Sequence, residues 1–249
     1  MKLFKVFMRS RNQTALTTDI LSQYDSIAEQ YASHIDEQKL NALYERPYIL
    51  SQLPPLSNKT FFDAGSGPGY FSIYAHSQGA NVIAVDSSRE LLKLLQERTG
   101  QSIETHVADL SKELNFIADQ TVDVIVCSLV LHYIENWSTT LREFHRILKI
   151  NGTCIISVHH PLFDARFNRE EYFEKRLIQD SWLGFGKQPL NIQYYVRPLN
   201  EYLNPILALP WKSTLVDEPK PSERIKATEP GMFKALSKSP VFLFFKLVK

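Results

Sequence analysis

A chain of 249 residues with 44% hydrophobic and 22% charged content can bury one substantial core, so one main α/β domain is the default expectation. The formal net charge of +1 gives no overall electrostatic case for a nucleic-acid or acidic-membrane partner. Lys5 interrupts the apolar start of the chain, no run approaches the ~20 apolar residues of a membrane span, and Cys127 and Cys154 lack disulfide or metal spacing, which together point to a reducing cytoplasm.

Lys2, Lys5, Arg9 and Arg11 mark residues 1–18 as a basic, solvated arm. The spacing of Ile20, Tyr24, Ile27, Tyr31 and Ile35 predicts a helix over 19–38 with Asp19 as its cap. A second helix, 40–53, ends at Pro54-Pro55. Strands are then expected at 59–63, 82–86, 103–107, 122–128 and 153–159, alternating with helices at 70–78, 90–97 and 138–148; the near-continuous apolar run of 122–126 suits a strand buried on both faces. This rhythm implies right-handed crossovers and a doubly wound sheet. Residues 163–195 break it with Phe163, Phe167, Tyr172, Phe173, Trp182, Phe185, Tyr194 and Tyr195, and read as an insertion over the sheet edge. A helix to about residue 209, a strand at 211–217 and a β-rich end at 241–248, paired as a last hairpin, complete the chain.

The chemistry concentrates in Asp63-Ala64-Gly65-Ser66-Gly67-Pro68-Gly69, where a strand end runs into three alternate glycines. Alternate glycines allow a tight turn and close approach of a ligand, and the following helix offers free N–H groups. The dinucleotide fingerprint needs a third glycine at position 70, which is Tyr. The pattern D-x-G-x-G-x-G resembles motif I of the class I S-adenosylmethionine-dependent methyltransferases, and a carboxylate at Asp63 suits the ammonium group of that cofactor where it would repel a pyrophosphate.

That resemblance covers about residues 20–160. It implies a Rossmann-like, doubly wound seven-stranded sheet with its last strand antiparallel, and an active site roofed by a helical lid over 19–56 and by the 163–195 insertion after strand five, all within one domain spanning 19–249. It also implies a cofactor site running from Asp63, Ala64, Gly65, Ser66, Gly67 and Gly69 to Asp86 with Ser87 and Ser88, Asp109 with Leu110, and Ser128 with Leu129. Asp86 would accept hydrogen bonds from the ribose hydroxyls, or cap the next helix. Asp109 would take the adenine amine, or act as a cap. Tyr24 and Tyr31 resemble the aromatic lid of small-molecule methyltransferases, favourable beside a sulfonium, or pack as the apolar stripe of their helix. Arg46 would meet the cofactor's carboxylate, or form a surface ion pair.

Methyl transfer needs alignment, exclusion of water and sometimes a base. His132, His159 and His160 are the candidate catalytic bases, each equally readable as a pocket-lining residue. No metal site is expected. The fourth strand ends in Ser128-Leu129-Val130-Leu131, without the Asn/Asp-Pro-Pro-aromatic loop of base-amino methyltransferases, so no nucleic acid is expected, and the aromatic insertion without a basic face points to an apolar or aromatic small molecule as acceptor. A nicotinamide-dependent oxidoreductase and an inactive cofactor-binding regulator stand as the alternatives.

Overall fold

The computed structural model describes residues 23–165, 171–183, 185 and 189–249. The basic arm 1–18, Asp19 and Phe167 lie outside them. The first described segment is a 3-10 turn, Asp25–Ile27, followed by α1 (Ala28–His34) and a second 3-10 turn, Ile35–Glu37, in place of one continuous helix. A π-helical turn, Asn41–Glu45, leads into α2 (Arg46–Gln52).

The alternating part runs β1 (Thr60–Ala64), α3 (Tyr70–Ser77), β2 (Asn81–Asp86), α4 (Arg89–Thr99), β3 (Glu104–Val107), β4 (Val122–Ser128), α5 (Trp137–Ile147) and β5 (Leu148–His159). After a short α6 (Pro161–Asp164) come β6 (Arg176–Trp182) and β7 (Leu190–Val196), then α7 (Leu199–Leu207), β8 (Ser213–Asp217), α8 (Glu223–Thr228), α9 (Pro230–Leu236) and β9 (Phe242–Val248).

The main sheet has seven strands in the order β3-β2-β1-β4-β5-β9-β8. Its first five strands are mutually parallel, and β9 runs antiparallel to both β5 and β8. Strand periodicity divides the core between the two faces. Phe62, Ile125 and Cys127 face α5 and α7 through Phe144, Leu141, Tyr202 and Ile206, whereas Phe61, Val124 and Val126 face α2, α3 and α4 through Ile49, Phe71, Ala75, Leu92 and Leu95. The order of strands reverses between β1 and β4, so the carboxyl ends of β1, β2, β4 and β5 open on one crevice, the place where open α/β sheets take ligands.

Three expectations change in detail. β5 begins at Leu148, because Asn151-Gly152 is absorbed as an irregularity opposite β4, with Asn151 in the left-handed region at φ 62°. β8 and β9 pair antiparallel, but α8 and α9 intervene, so they are not a hairpin. The aromatic insertion holds a sheet of its own that its composition did not announce, β6 with β7, which packs through Phe185, Ile192 and Tyr194 against Ile35 and Tyr31 of the N-terminal segment, above the crevice. No helix among the described residues is long and apolar enough to cross a membrane.

Candidate active site

Between β1 and α3 the chain must reverse within a few residues, and Gly65, Gly67 and Gly69 do so with φ of 79°, 54° and 98°. Two of them are also enforced by space: a Cβ on Gly65 would lie 2.3 Å from Val130 Cγ2, and one on Gly69 2.2 Å from Leu95 Cδ1. At Gly67 a Cβ would meet nothing within 4 Å, so this apex faces the crevice. The N–H groups of Gly65 and Ser66 both donate to Val85 O (2.7 and 2.9 Å), and Gly67 N–H donates to Asp86 Oδ2 (2.8 Å).

Asp86 therefore clasps the glycine loop from the end of β2, while its Oδ1 accepts Ser88 N–H at 2.9 Å. The cap of α4 is Ser88, whose Oγ accepts Leu91 N–H and donates to Asp25 Oδ1 at 2.6 Å, tying the N-terminal segment to the site. Burial raises the pKa of Asp86, opposed by these backbone N–H groups. Asp63, 2% exposed, accepts the Ser72 hydroxyl at 2.6 Å, and burial pushes its carboxyl up to about 7. Ser66 Oγ is buried without a hydrogen-bond partner among the described residues.

Glu45 sits where the π-helical turn widens the helix, a distortion that often marks functional positions. Its buried carboxylate accepts Ser128 Oγ (2.8 Å) and Ser157 Oγ (2.6 Å), joining the ends of β4 and β5 beside the crevice, and burial raises its pKa against the pull of those hydroxyls and Arg46. Arg46 stacks its guanidinium 3.9 Å above the Tyr70 ring and pairs with Asp36 at 2.8 Å. Leu129, at φ 55°, is held in the left-handed region by donating to Ser157 O and Oγ.

Above lies an aromatic roof. Tyr24 hydroxyl meets Tyr133 hydroxyl at 2.6 Å, Tyr24 packs edge-on to Tyr31 (4.9 Å between ring centroids), and Tyr31 stacks on Phe185 (5.5 Å, 9°). One cavity runs beneath it, lined by Tyr24, Tyr31, Arg46, Asp63, Gly65, Ser66, Gly67, Asp86, Ser87, Leu110, Ser128 and Leu129 among the residues singled out from sequence. Ala64, Gly69 and Ser88 support that lining from behind. Asp109 is not among the residues that line it; its Oδ1 accepts Ser111 N–H at 2.8 Å, and its neighbours Ala108 and Leu110 form the wall there.

The three histidines separate. His159 lines the cavity, with its Nδ1 3.7 Å from Asp164 Oδ1. His132 is fully buried behind it, stacked ring on ring at 4.3 Å, with neither nitrogen hydrogen-bonded among the described residues; burial and His159 hold its pKa well below the ordinary value, so it is neutral. His160 lies off the cavity, its Nδ1 accepting Leu162 N–H at α6 and its Nε2 pairing with Glu218 at 2.5 Å. Glu45, Tyr133, Asp180 and Trp182 also line the cavity. Glu45 and Asp180 belong to no motif, and only their neighbours Arg46 and Trp182 drew attention in the sequence.

The donor set fits S-adenosylmethionine: carboxylates, and a hydroxyl unpartnered among the described residues, surround the glycine turn, a setting that suits an ammonium and would repel a pyrophosphate. A methyltransferase-domain family model matches residues 62–156. An uncharacterised protein of Haemophilus influenzae is 29% identical over 84% of this chain and 89% of its own length. A malonyl-[acyl-carrier protein] O-methyltransferase of Hamiltonella defensa is 28% identical over 61% of this chain, a match that spans about half (54%) of that enzyme. The solved S-adenosylmethionine-dependent methyltransferase from Mesorhizobium loti shares the fold at a TM-score of 0.68 and 22% identity, covering 84% of this chain and 100% of the other. The glycine turn, the strand order with its antiparallel β9 and these matches agree: residues 62–156 match a methyltransferase domain, and the chain has the fold of the S-adenosylmethionine-dependent methyltransferases.

Proposed function

We propose that the enzyme methylates a small molecule with a flat apolar body, held under the roof with its nucleophile toward His159. The observation that carries this reading is the continuity of one cavity from the glycine turn to an aromatic chamber formed by Phe163, Trp182, Phe185 and Phe242 around His159. Such walls take an apolar ring and exclude water.

On the donor side, Gly67 and Ser66 would hold the cofactor's amino-acid end with Asp63 opposite its ammonium and Arg46 near its carboxylate. Asp86 would hold the ribose, the backbone around Leu110 the adenine, and Tyr24 and Tyr31 would cover the sulfonium. The cofactor supplies an electrophilic methyl carbon on sulfur. His159 would take the acceptor's proton, with Asp164 orienting its ring from the Nδ1 side. Both cysteines are buried free thiols, which supports a reducing compartment such as the cytoplasm.

The test is transfer of labelled methyl from S-adenosylmethionine to a panel of small aromatic alcohols, amines and thiols. Transfer to a panel member is expected, with His159→Asn lowering kcat by about 10²–10⁴-fold at little cost in cofactor affinity. Label entering only protein or nucleic acid in the same assay would refute the small-molecule reading.

A further inference from the structure

We propose that Glu45 is a cofactor-binding residue, its carboxylate taking the ammonium of S-adenosylmethionine beside the Arg46 guanidinium that takes the carboxylate, so that the two form one clamp for a zwitterion. This rests on the donor-site reading above and extends it to a residue that lies in no motif.

Glu45 closes the π-helical turn and Arg46 opens α2, and both are buried and line the cavity. Their surroundings fix which end of the cavity they serve. Ser128 and Ser157, which donate to Glu45 Oε1, are register partners on β4 and β5. Ser128 is followed by Leu129, which lines the cavity, and by Val130, whose methyl groups back Gly65 so closely that a Cβ there would clash. Arg46 lies over Tyr70, the residue after Gly69. Both charges therefore flank the glycine turn, the end at which the reading above holds the cofactor's amino-acid group.

The two serines bond the same oxygen. Glu45 Oε2 accepts from no group among the described residues, so it is the atom left to a ligand. The guanidinium is also only partly engaged: Nη1 pairs with the half-exposed Asp36, and Nε and Nη2 donate to no described residue.

A carboxylate with 1% exposure is costly to hold on two hydroxyl donors alone. A brace between the lid and the strands would need only an acceptor oxygen there, which a neutral glutamine also offers. A zwitterionic tail, with ammonium and carboxylate on a single carbon, instead requires an anion and a cation side by side, and consecutive Glu and Arg side chains provide both. The ammonium offers three N–H donors, so Glu45 acts in addition to Asp63, not in its place.

Ligands that share the adenosine and differ in the tail separate clamp from brace. They are S-adenosylhomocysteine, its carboxylate-free analogue S-adenosyl-3-thiopropylamine, its amine-free analogue S-adenosyl-4-thiobutyrate, and 5′-methylthioadenosine, which has neither charge. Competition calorimetry on the full chain is expected to show Glu45→Gln weakening the two amine-bearing ligands by about tenfold or more and the other two by less than about twofold. Arg46→Gln should instead weaken the two carboxylate-bearing ligands. Glu45→Asp keeps a charge for the serines but draws it back from the cavity by one methylene; it should give the same ranking as Glu45→Gln, and it serves should that variant fail to fold. Equal weakening of all four ligands would make Glu45 a brace only, and weakening of none would leave it no part in binding; either result would overturn the proposal. Failure of the wild-type chain to bind S-adenosylhomocysteine would instead strike at the donor-site reading beneath it.

Discussion

Asp63 holds two opposed states in one carboxyl. Buried at 2% exposure, it has its pKa raised from 3.8 to about 7, chiefly by desolvation, against the pull of the Ser72 hydroxyl and backbone N–H and with a further push from the nearby Asp86. The folded state keeps this proton between about pH 4 and 7, where the unfolded chain has released it. The stabilisation is therefore complete below the unfolded pKa and is lost as pH rises through 7. A neutral isostere removes that loss. Asp63→Asn should match the wild type in unfolding free energy at pH 3, below the unfolded pKa, and exceed it at pH 8, by up to about 4 kcal/mol if the whole shift is expressed. The same substitution should weaken S-adenosylmethionine binding at pH 8, because the proposed partner of the cofactor's ammonium has lost its charge. A variant less stable than wild type at pH 8 would show that desolvation does not dominate at this carboxyl.

The glycine turn and the π-helical turn are two departures from regular geometry placed on either side of the crevice. Gly69, the N-cap of α3 at φ 98°, is pressed against Leu95 of α4, so the turn is also a packing joint between two helices. Gly69→Ala must both adopt a left-handed backbone and displace Leu95. A loss of about 1–3 kcal/mol in unfolding free energy is expected from the backbone alone, measured by urea titration. Gly67→Ala, with open space around its apex, should cost less stability and more cofactor affinity. Reversal of that order would disprove the division of labour between the two glycines. The glycine turn was legible in sequence because each constraint selects the same residue type at a fixed spacing. The π-helical turn was not: the apolar spacing of residues 40–53 serves an α-helix equally well, and one extra residue per turn leaves no mark in composition. Glu45 was hidden with it.

At the scale of the whole molecule, the strands β1 to β5 could be read from apolar runs because both faces of a parallel sheet are covered, so periodicity and burial coincide. The roof could not be read that way. Tyr24, Tyr133 and Phe185 are far apart in the chain, and nothing in local spacing tells an aromatic that packs within its own helix from one that reaches across a crevice. β8 and β9 were legible as strands, but the helices between them are short and lack a clear apolar stripe.

The roof is also built differently from the sheet. Gln23 exchanges hydrogen bonds with the backbone of Gln193 and Gln30 donates to Phe185 O, so the N-terminal segment and the β6–β7 insertion are joined through side chains, and Tyr24 ties that segment to Tyr133 beyond β4, whereas the strands share continuous backbone ladders. Local opening is easiest where few backbone bonds and little apolar packing must be given up. A ligand held between roof and sheet stabilises the closed form by mass action. Hydrogen exchange on the full chain should therefore show β1, β4 and β5 protected with or without S-adenosylhomocysteine, and residues 23–37 and 190–196 strongly protected only with it. Tyr31→Ala, which removes the stack on Phe185, should reduce that ligand-dependent protection while leaving the exchange of β4 unchanged. Uniform protection of roof and sheet in the ligand-free protein would mean that the roof is part of the rigid core and that the acceptor must enter by another route.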